Sequence, residues 1–216
     1  MTCKICQKPA KAFYDDYMQC TTYHCSDCEL FFKDEKAIVS SERELSVYRQ
    51  HNNSEENAGY VAMFRDFLDK TVTPRKEKIK TALDFGSGPN PVLAGMLEKE
   101  GFATDHYDKF FAPEKVYEGK TYDLITSTEV IEHIADVRGI MQLFAAHLRP
   151  GGYLALMTQF HSNTAEHYLQ WWYRRDPTHI VFYRPKSFDL LAKQFGLALR
   201  YHDDKKVVLL QKNGNL

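Results

Sequence analysis

The chain has 216 residues, 44% hydrophobic and 13% aromatic, which suffices for one ordinary domain with a real core plus a small appendage and argues against wholesale disorder. Its 28 Lys/Arg against 29 Asp/Glu leave a formal charge of −1, which gives no global pull toward nucleic acid or an anionic membrane. No apolar run approaches the ~18 residues of a membrane span, and residues 1–6 lack the apolar stretch of a secretory signal. All five cysteines fall between Cys3 and Cys28, an odd number that suits a reducing compartment, so the protein is expected to be cytoplasmic.

Cys3-x-x-Cys6 is matched further along by Cys25-x-x-Cys28. Each pair lets two thiolates converge from one tight turn, and two such turns complete a closed tetrahedral site. A redox Cys-x-x-Cys is not normally duplicated, and a four-thiolate site has no open position, so this pattern predicts a structural Zn2+. Phe13, Tyr14, Tyr17 and Tyr23 between the pairs read as short strands covering the metal. Cys20 is spare, a small filler by this reading, although it or His24 is an alternative ligand. The segment 1–32 is thus a zinc ribbon too small to build its own core, with metal binding contributing much of its folding energy.

Residues 33–74 read as a polar linker with leading helices. Ser40 suggests the cap of a short helix running to about Leu45, and Asn52-Asn53-Ser54-Glu55-Glu56-Asn57 marks a loop. Tyr60, Val61, Phe64, Phe67 and Leu68 recur at helical spacing and predict an amphipathic helix that ends before Pro74. Tyr48, His51 and Asn52 are open to two readings, loop solvation or ligand contact.

In Ile79-Lys-Thr-Ala-Leu-Asp84-Phe-Gly86-Ser-Gly88-Pro89-Asn90 an apolar strand runs into two glycines spaced one apart and then into a helix, Val92 to Leu97. Glycine takes positive φ and lets a ligand touch the backbone, so strand–Gly-x-Gly–helix is a nucleotide cradle. The third glycine of the dinucleotide fingerprint is missing, with Asn90-Pro91 in its place. Asp84 would repel a pyrophosphate but suits a cationic amino-acid ligand, which points away from NAD and toward S-adenosylmethionine (SAM). The next strand, Phe102 to Tyr107, closes on Asp108, and the spacing from Asp84 to Asp108 fits an acid that bonds ribose hydroxyls. Asp105 competes for that role from mid-strand.

Tyr122 to Thr128 is a further strand leading into Glu129-Val-Ile-Glu132-His133, then a helix over about Val137 to Leu148, an Arg149-Pro-Gly-Gly152 turn and a strand from Tyr153 to Met157. A helix from Ser187 to Phe195, a stop at Gly196 and a last strand from Val207 to Leu210 complete the pattern. Strands alternating with helices predict an α/β fold with a parallel sheet and ligands at its carboxyl edge.

Taken in order, Leu83-Asp-Phe-Gly-Ser-Gly88, Tyr107-Asp108, Tyr122-Asp-Leu-Ile-Thr-Ser-Thr-Glu-Val-Ile-Glu-His133 and Leu148-Arg-Pro-Gly-Gly-Tyr-Leu resemble the motif series of class I SAM-dependent methyltransferases. The match runs over roughly residues 79–160, and the cysteine pairs resemble those of a bacterial subgroup with a zinc-ribbon N-terminus. The resemblance implies a Rossmann-like sheet with helices on both faces, a methyltransferase domain over 75–216, and an enzyme that moves a methyl group from SAM. It further implies that Gly86 and Gly88 approach the methionine end, that Asp108 holds the ribose, and that Asp84 fixes the loop or faces the amino group through water. Ser127, Thr128 and Glu129 would line the junction of cofactor and substrate, and Tyr48, His51 and Asn52 would cover the cofactor. Pro89-Asn90-Pro91 departs from the pattern and stiffens the loop.

Methyl transfer from a sulfonium is an in-line displacement in which the protein mainly aligns the partners and excludes water. A base is needed when the acceptor is a hydroxyl, an amine cation or a carbon acid. His179, after Asp176-Pro177-Thr178 and among Trp171, Trp172, Phe182 and Tyr183, is the first candidate, and His133 the second. The alternative for His179 is a turn-bonding structural role. The expected acceptor is a small molecule, in a monomer or homodimer with no membrane partner. Two other readings compete. Nucleic-acid methylation would use the ribbon with Arg174, Arg175, Arg184 and Lys186, against which the near-neutral charge argues. A non-catalytic SAM-binding interaction module is the other, against which the intact glycine turn and both carboxylates argue.

Overall fold

Each end of the chain contributes to a different sheet in the computed structural model, which describes residues 1–50 and 53–214. The elements in chain order are β1 Lys11–Asp15, β2 Cys20–Cys25, β3 Leu30–Lys33, α1 Ser41–Tyr48, α2 Ala58–Thr71, β4 Thr81–Phe85, α3 Val92–Lys99, β5 Ala103–Tyr107, β6 Tyr122–Thr128, α4 Val137–His147, β7 Leu148–Met157, α5 Ala165–Gln170, β8 Val181–Phe182, α6 Pro185–Gln194, β9 Leu197–His202 and β10 Val207–Lys212.

The main sheet has the order β5-β4-β6-β7-β10-β9. Its first four strands are parallel, as expected. The last two are not: β10 runs antiparallel to both β7 and β9. This half departs from the all-parallel expectation because only the Asp203–Lys206 turn separates β9 from β10, too short for a crossover. In the middle strands, Leu83, Leu124, Ile125, Leu154, Leu156, Val208 and Leu210 have no exposed surface, because layers cover both faces. Leu83, Ile125, Leu154, Leu156, Val208 and Leu210 pack against α4 and α6, and Ala82, Leu124, Ala155, Val207 and Leu209 against α2 and α3. Burying each large aliphatic contributes about 1.5–3 kcal/mol. The sheet is therefore Rossmann-like, with helices on both faces.

Capping follows the sequence signals. Ser40 accepts from Arg43 N, Asn57 from Gly59 and Tyr60 N, and Asp136 from Gly139 N. The Arg149–Gly152 turn becomes a bulge inside β7, where Tyr122 pairs with Leu148 but Leu124 with Tyr153.

The first three strands form an antiparallel meander, and β8 adds to its edge through Phe31 opposite Phe182 and Phe32 opposite Val181. Cys3, Ile5, Cys25, Cys28, Leu30 and Phe32 belong to the same apolar cluster as Met141, Phe144, Tyr183, Phe188 and Leu191. The cysteine segment is thus built into the body. Ser187 Oγ donates to Cys28 O or Glu29 O (2.8 and 3.0 Å), and Arg184 Nε lies 2.7 Å from Glu29 Oε2. Arg174 and Asp15, 4% and 1% exposed, form an ion pair at 3.0 Å. Among the described residues no helix is long and apolar enough to cross a membrane.

Candidate active site

Between the carboxyl ends of β4 and β6 the chain order reverses direction across the sheet, the position where open α/β sheets bind ligands. A cavity of about 770 Å³ opens there, and its walls include Gly86, Ser87, Gly88, Asp108, Thr128, Glu129, Tyr48, His133 and His179. The sequence-predicted residues that line it are therefore many, but not all.

The glycine turn is held from below. Gly86 N and Ser87 N donate to Tyr107 O at 2.7 and 3.1 Å, which ties the end of β4 to the end of β5. Gly86 has φ +89°, and a Cβ there would sit 2.2 Å from Val130 Cγ2, so both conformation and space require glycine. Gly88, at φ +69°, faces a more open position, with Asn53 Nδ2 at 3.6 Å from a would-be Cβ.

Asp108 organises two loops. Its Oδ2 accepts from Gly88 N at 2.9 Å, and its Oδ1 from Phe110 N and Phe111 N at 2.8 and 3.0 Å. A carboxylate offers about four acceptor positions, so about one remains for a ligand hydroxyl. Phe110 and Phe111 line the cavity next to it.

Asp84 lies behind the turn, 2% exposed and outside the cavity wall, where its Oδ1 accepts from Thr126 Oγ1 at 3.0 Å. Burial raises its carboxyl to about 7 against the Thr126 hydrogen bond, which lowers it. Of its two expected roles, this placement suits fixing the loop. Ser127 is fully buried and also off the wall, since neighbouring strand residues point to opposite faces and its neighbour Thr128 takes the cavity side. Tyr48, at the end of α1, donates to Glu44 Oε1 at 2.8 Å and stands edge-on to His133. His51 and Asn52 lie outside the described residues.

The opposite wall comes from the run after β6 and from residues 172–179. His179, 7% exposed, donates from Nδ1 to Tyr173 O at 2.8 Å, with its Nε2 3.9 Å from Asp176 Oδ2. Burial, with His133 beside it, pushes its ring down to about 3, so it stays neutral near pH 7. His133 donates from Nδ1 to Thr178 O at 3.1 Å, and the two rings meet at 4.7 Å. Tyr173 Oη contacts Glu129 Oε2 at 2.8 Å and Glu132 Oε1 more closely still. Burial pushes both carboxyls up, and for Glu132 the neighbouring Glu129 adds to it.

Sequence reasoning assigned no role to Glu132, Asp176 or Lys33. Glu132 was visible, standing shortly after Glu129 and next to His133. Lys33 gave no local signal: it comes from β3, is 2% exposed, and its Nζ donates to Asp176 O at 3.0 Å.

The four Sγ atoms of Cys3, Cys6, Cys25 and Cys28 lie within 4.8 Å of one another, close enough to share one tetrahedral ion. Cys20 and His24 stand outside this cluster, and His24 instead stacks on Phe31 and bonds Asn163.

A family model described as a methyltransferase domain matches residues 50–202. A ubiquinone biosynthesis O-methyltransferase from Paramagnetospirillum magneticum is 26% identical over 128 residues, 56% of this chain and 51% of that protein. The chain spans about half the length of the curated relatives it matches. The fold is similar to that of an O-methyltransferase family protein from Burkholderia thailandensis, with TM-score 0.55 and 14% identity over 80% of this chain and 64% of that one. It is similar also to the mitomycin 7-O-methyltransferase, with TM-score 0.56 and 12% identity over 78% and 60%. The Gly86–Gly88 turn, the Asp108 bridge and the cavity at the strand ends are thus those of a chain that belongs to the methyltransferase-domain family.

Proposed function

We propose that this protein transfers a methyl group from SAM to a hydroxyl oxygen of a small-molecule acceptor. The observation that carries the reading is one cavity that joins the Gly86–Gly88 turn and Asp108 to Glu129, His133 and His179. SAM supplies an activated methyl on a cationic sulfur. Asp108 keeps about one acceptor position toward a ribose hydroxyl, while the faces of Phe110 and Phe111 suit a flat base. Gly86 and Gly88 would let the methionine end approach the backbone, and Tyr60 and Phe64 on α2 give the same cavity an apolar lining that would keep water out. Choice of an oxygen acceptor follows the relatives, whose names describe O-methyl transfer.

A cavity of this size takes a drug-sized ligand pair rather than a duplex, and the chain carries no net positive charge, which supports a small acceptor. The cysteine cluster is read as a structural Zn2+ site, since four thiolates leave no position for substrate. Titration calorimetry with S-adenosylhomocysteine tests the reading. The expected result is one site per chain, with a labelled methyl group from SAM then appearing on a hydroxylated small molecule from a substrate panel. A chain that binds neither SAM nor its product overturns it.

A further inference from the structure

We propose that Glu132, His133 and His179 bind a divalent transition-metal cation on the acceptor side of the cavity, at a site separate from the four cysteines. The ligand atoms of these three side chains lie within 4.8 Å of one another, so one ion reaches all three with little rearrangement.

The hydrogen bonds around them prepare that role. A carbonyl only accepts, so each histidine facing one through Nδ1 carries its proton there, and Nε2 keeps the lone pair. A backbone partner on the far nitrogen is the arrangement that orients metal-bound imidazoles. Glu132 has no exposed surface, and among the described residues its Oε2 finds no partner at hydrogen-bond geometry, nor does Oε1 of Glu129 beside it. Both carboxylates share the single hydroxyl of Tyr173, whose one proton serves only one of them at a time. A buried carboxylate oxygen without a partner is costly, and a bound cation satisfies it, as would a proton held between the two carboxyls.

Two imidazoles with one carboxylate favour Mn2+, Fe2+, Co2+ or Zn2+ over Mg2+ or Ca2+. The Asp176 carboxylate stands alongside, 3.9 Å from His179 Nε2. Three protein ligands leave coordination positions open, and His133 and His179 line the cavity. The cation's role toward the acceptor rests on the methyl-transfer reading; its binding does not. There it takes a hydroxyl that has a second oxygen within chelating reach. Metal coordination lowers the hydroxyl pKa, and its proton leaves to solvent. The oxygen pair forms the new O–C bond, the C–S bond breaks with its electrons staying on sulfur, and the products are a methyl ether, S-adenosylhomocysteine and the released proton.

The test is a Mn2+ titration of the full chain carrying its purified zinc, with free Mn2+ read by electron paramagnetic resonance. Mn2+ competes poorly for thiolates, so the ribbon stays loaded. The expected result is one Mn2+ per chain, weakened about tenfold or more in Glu132→Gln and in His179→Ala. Zinc content and S-adenosylhomocysteine affinity should stay unchanged in both variants. If one of them fails to fold, His133→Ala on the less buried side replaces it. A parent that binds no Mn2+ below about 1 mM, or folded variants that bind it as well as the parent, would overturn the proposal. Mn2+ binding without S-adenosylhomocysteine binding would instead count against the methyl-transfer reading alone.

Discussion

The two walls of the cavity are held up in different ways. The Gly86–Gly88 wall is local: β4, β5 and the Asp108 loop lock one another through Tyr107 O and the Asp108 carboxylate, all between Asp84 and Phe111. The Tyr173–His179 wall is remote from its supports. It rests on Lys33, on the β3–β8 pairing and on the Arg174–Asp15 ion pair, all reaching back to the segment that β1 to β3 form. The difference teaches that the cysteine segment acts as a buttress for the acceptor side, while the glycine turn and the Asp108 loop are fastened within the α/β body and, through Asn53 and Glu44, to the segment just before it.

Breaking the buttress should give the largest effect. If the four cysteines hold zinc as proposed, the parent should carry one ion per chain by elemental analysis and Cys25→Ser should lose it, and a structural zinc supplies on the order of 10 kcal/mol of folding free energy. Unchanged metal content would remove Cys25 from the site. Asp15→Ala comes next. It strands the buried Arg174 charge and should cost about 3–5 kcal/mol in denaturant unfolding. A loss below about 1 kcal/mol would mean that the pair does not fasten the two regions.

On the donor side, Asp84 sharpens the comparison through pH. Its folded carboxyl sits at about 7 against an ordinary 3.8, so the folded state keeps a proton that the unfolded chain releases between those values. Its contribution therefore weakens stability as pH climbs through that window and levels off above it. Asp84→Asn should gain on the parent by about 2.5 kcal/mol between pH 5 and pH 8. A pH-independent difference would contradict this. The smallest expected effect is on ligand affinity: Asp108→Ala should weaken S-adenosylhomocysteine by about tenfold, or about 1.4 kcal/mol, in calorimetry. Equal affinity would take Asp108 out of the site.

The same contrast explains what the sequence could show. Gly86, Gly88 and Asp108 were legible because glycine conformation and strand–turn–acid spacing are local properties. The cysteine pairs were legible as a cluster for the same reason. Their attachment was not, because the short strand β8, Val181–Phe182, pairs with β3, Leu30–Lys33, from the opposite end of the chain. The antiparallel end of the sheet was half visible: Val207 to Leu210 read as a strand, but Leu197–His202 did not, although Leu197, Leu199 and Tyr201 alternate with Arg200 and His202, because so short an alternation beside the Gly196 stop gives a weak local signal. Ser127 was expected on the wall beside Thr128, yet period-two alternation turns one of any such pair away. His133 and His179 were found by residue type. That Glu132 joins them follows from how the Ile131–His133 turn sits against residues 173–180, which no single stretch encodes.

Hydrogen exchange on the full chain tests the division of support most directly, comparing the parent with Cys25→Ser, each with S-adenosylhomocysteine present. The account predicts faster exchange in residues 172–182 and in β1 to β3, with 81–90 and 103–128 protected as in the parent. Exchange that rises evenly over both walls, or leaves 172–182 untouched once the zinc is gone, would contradict it.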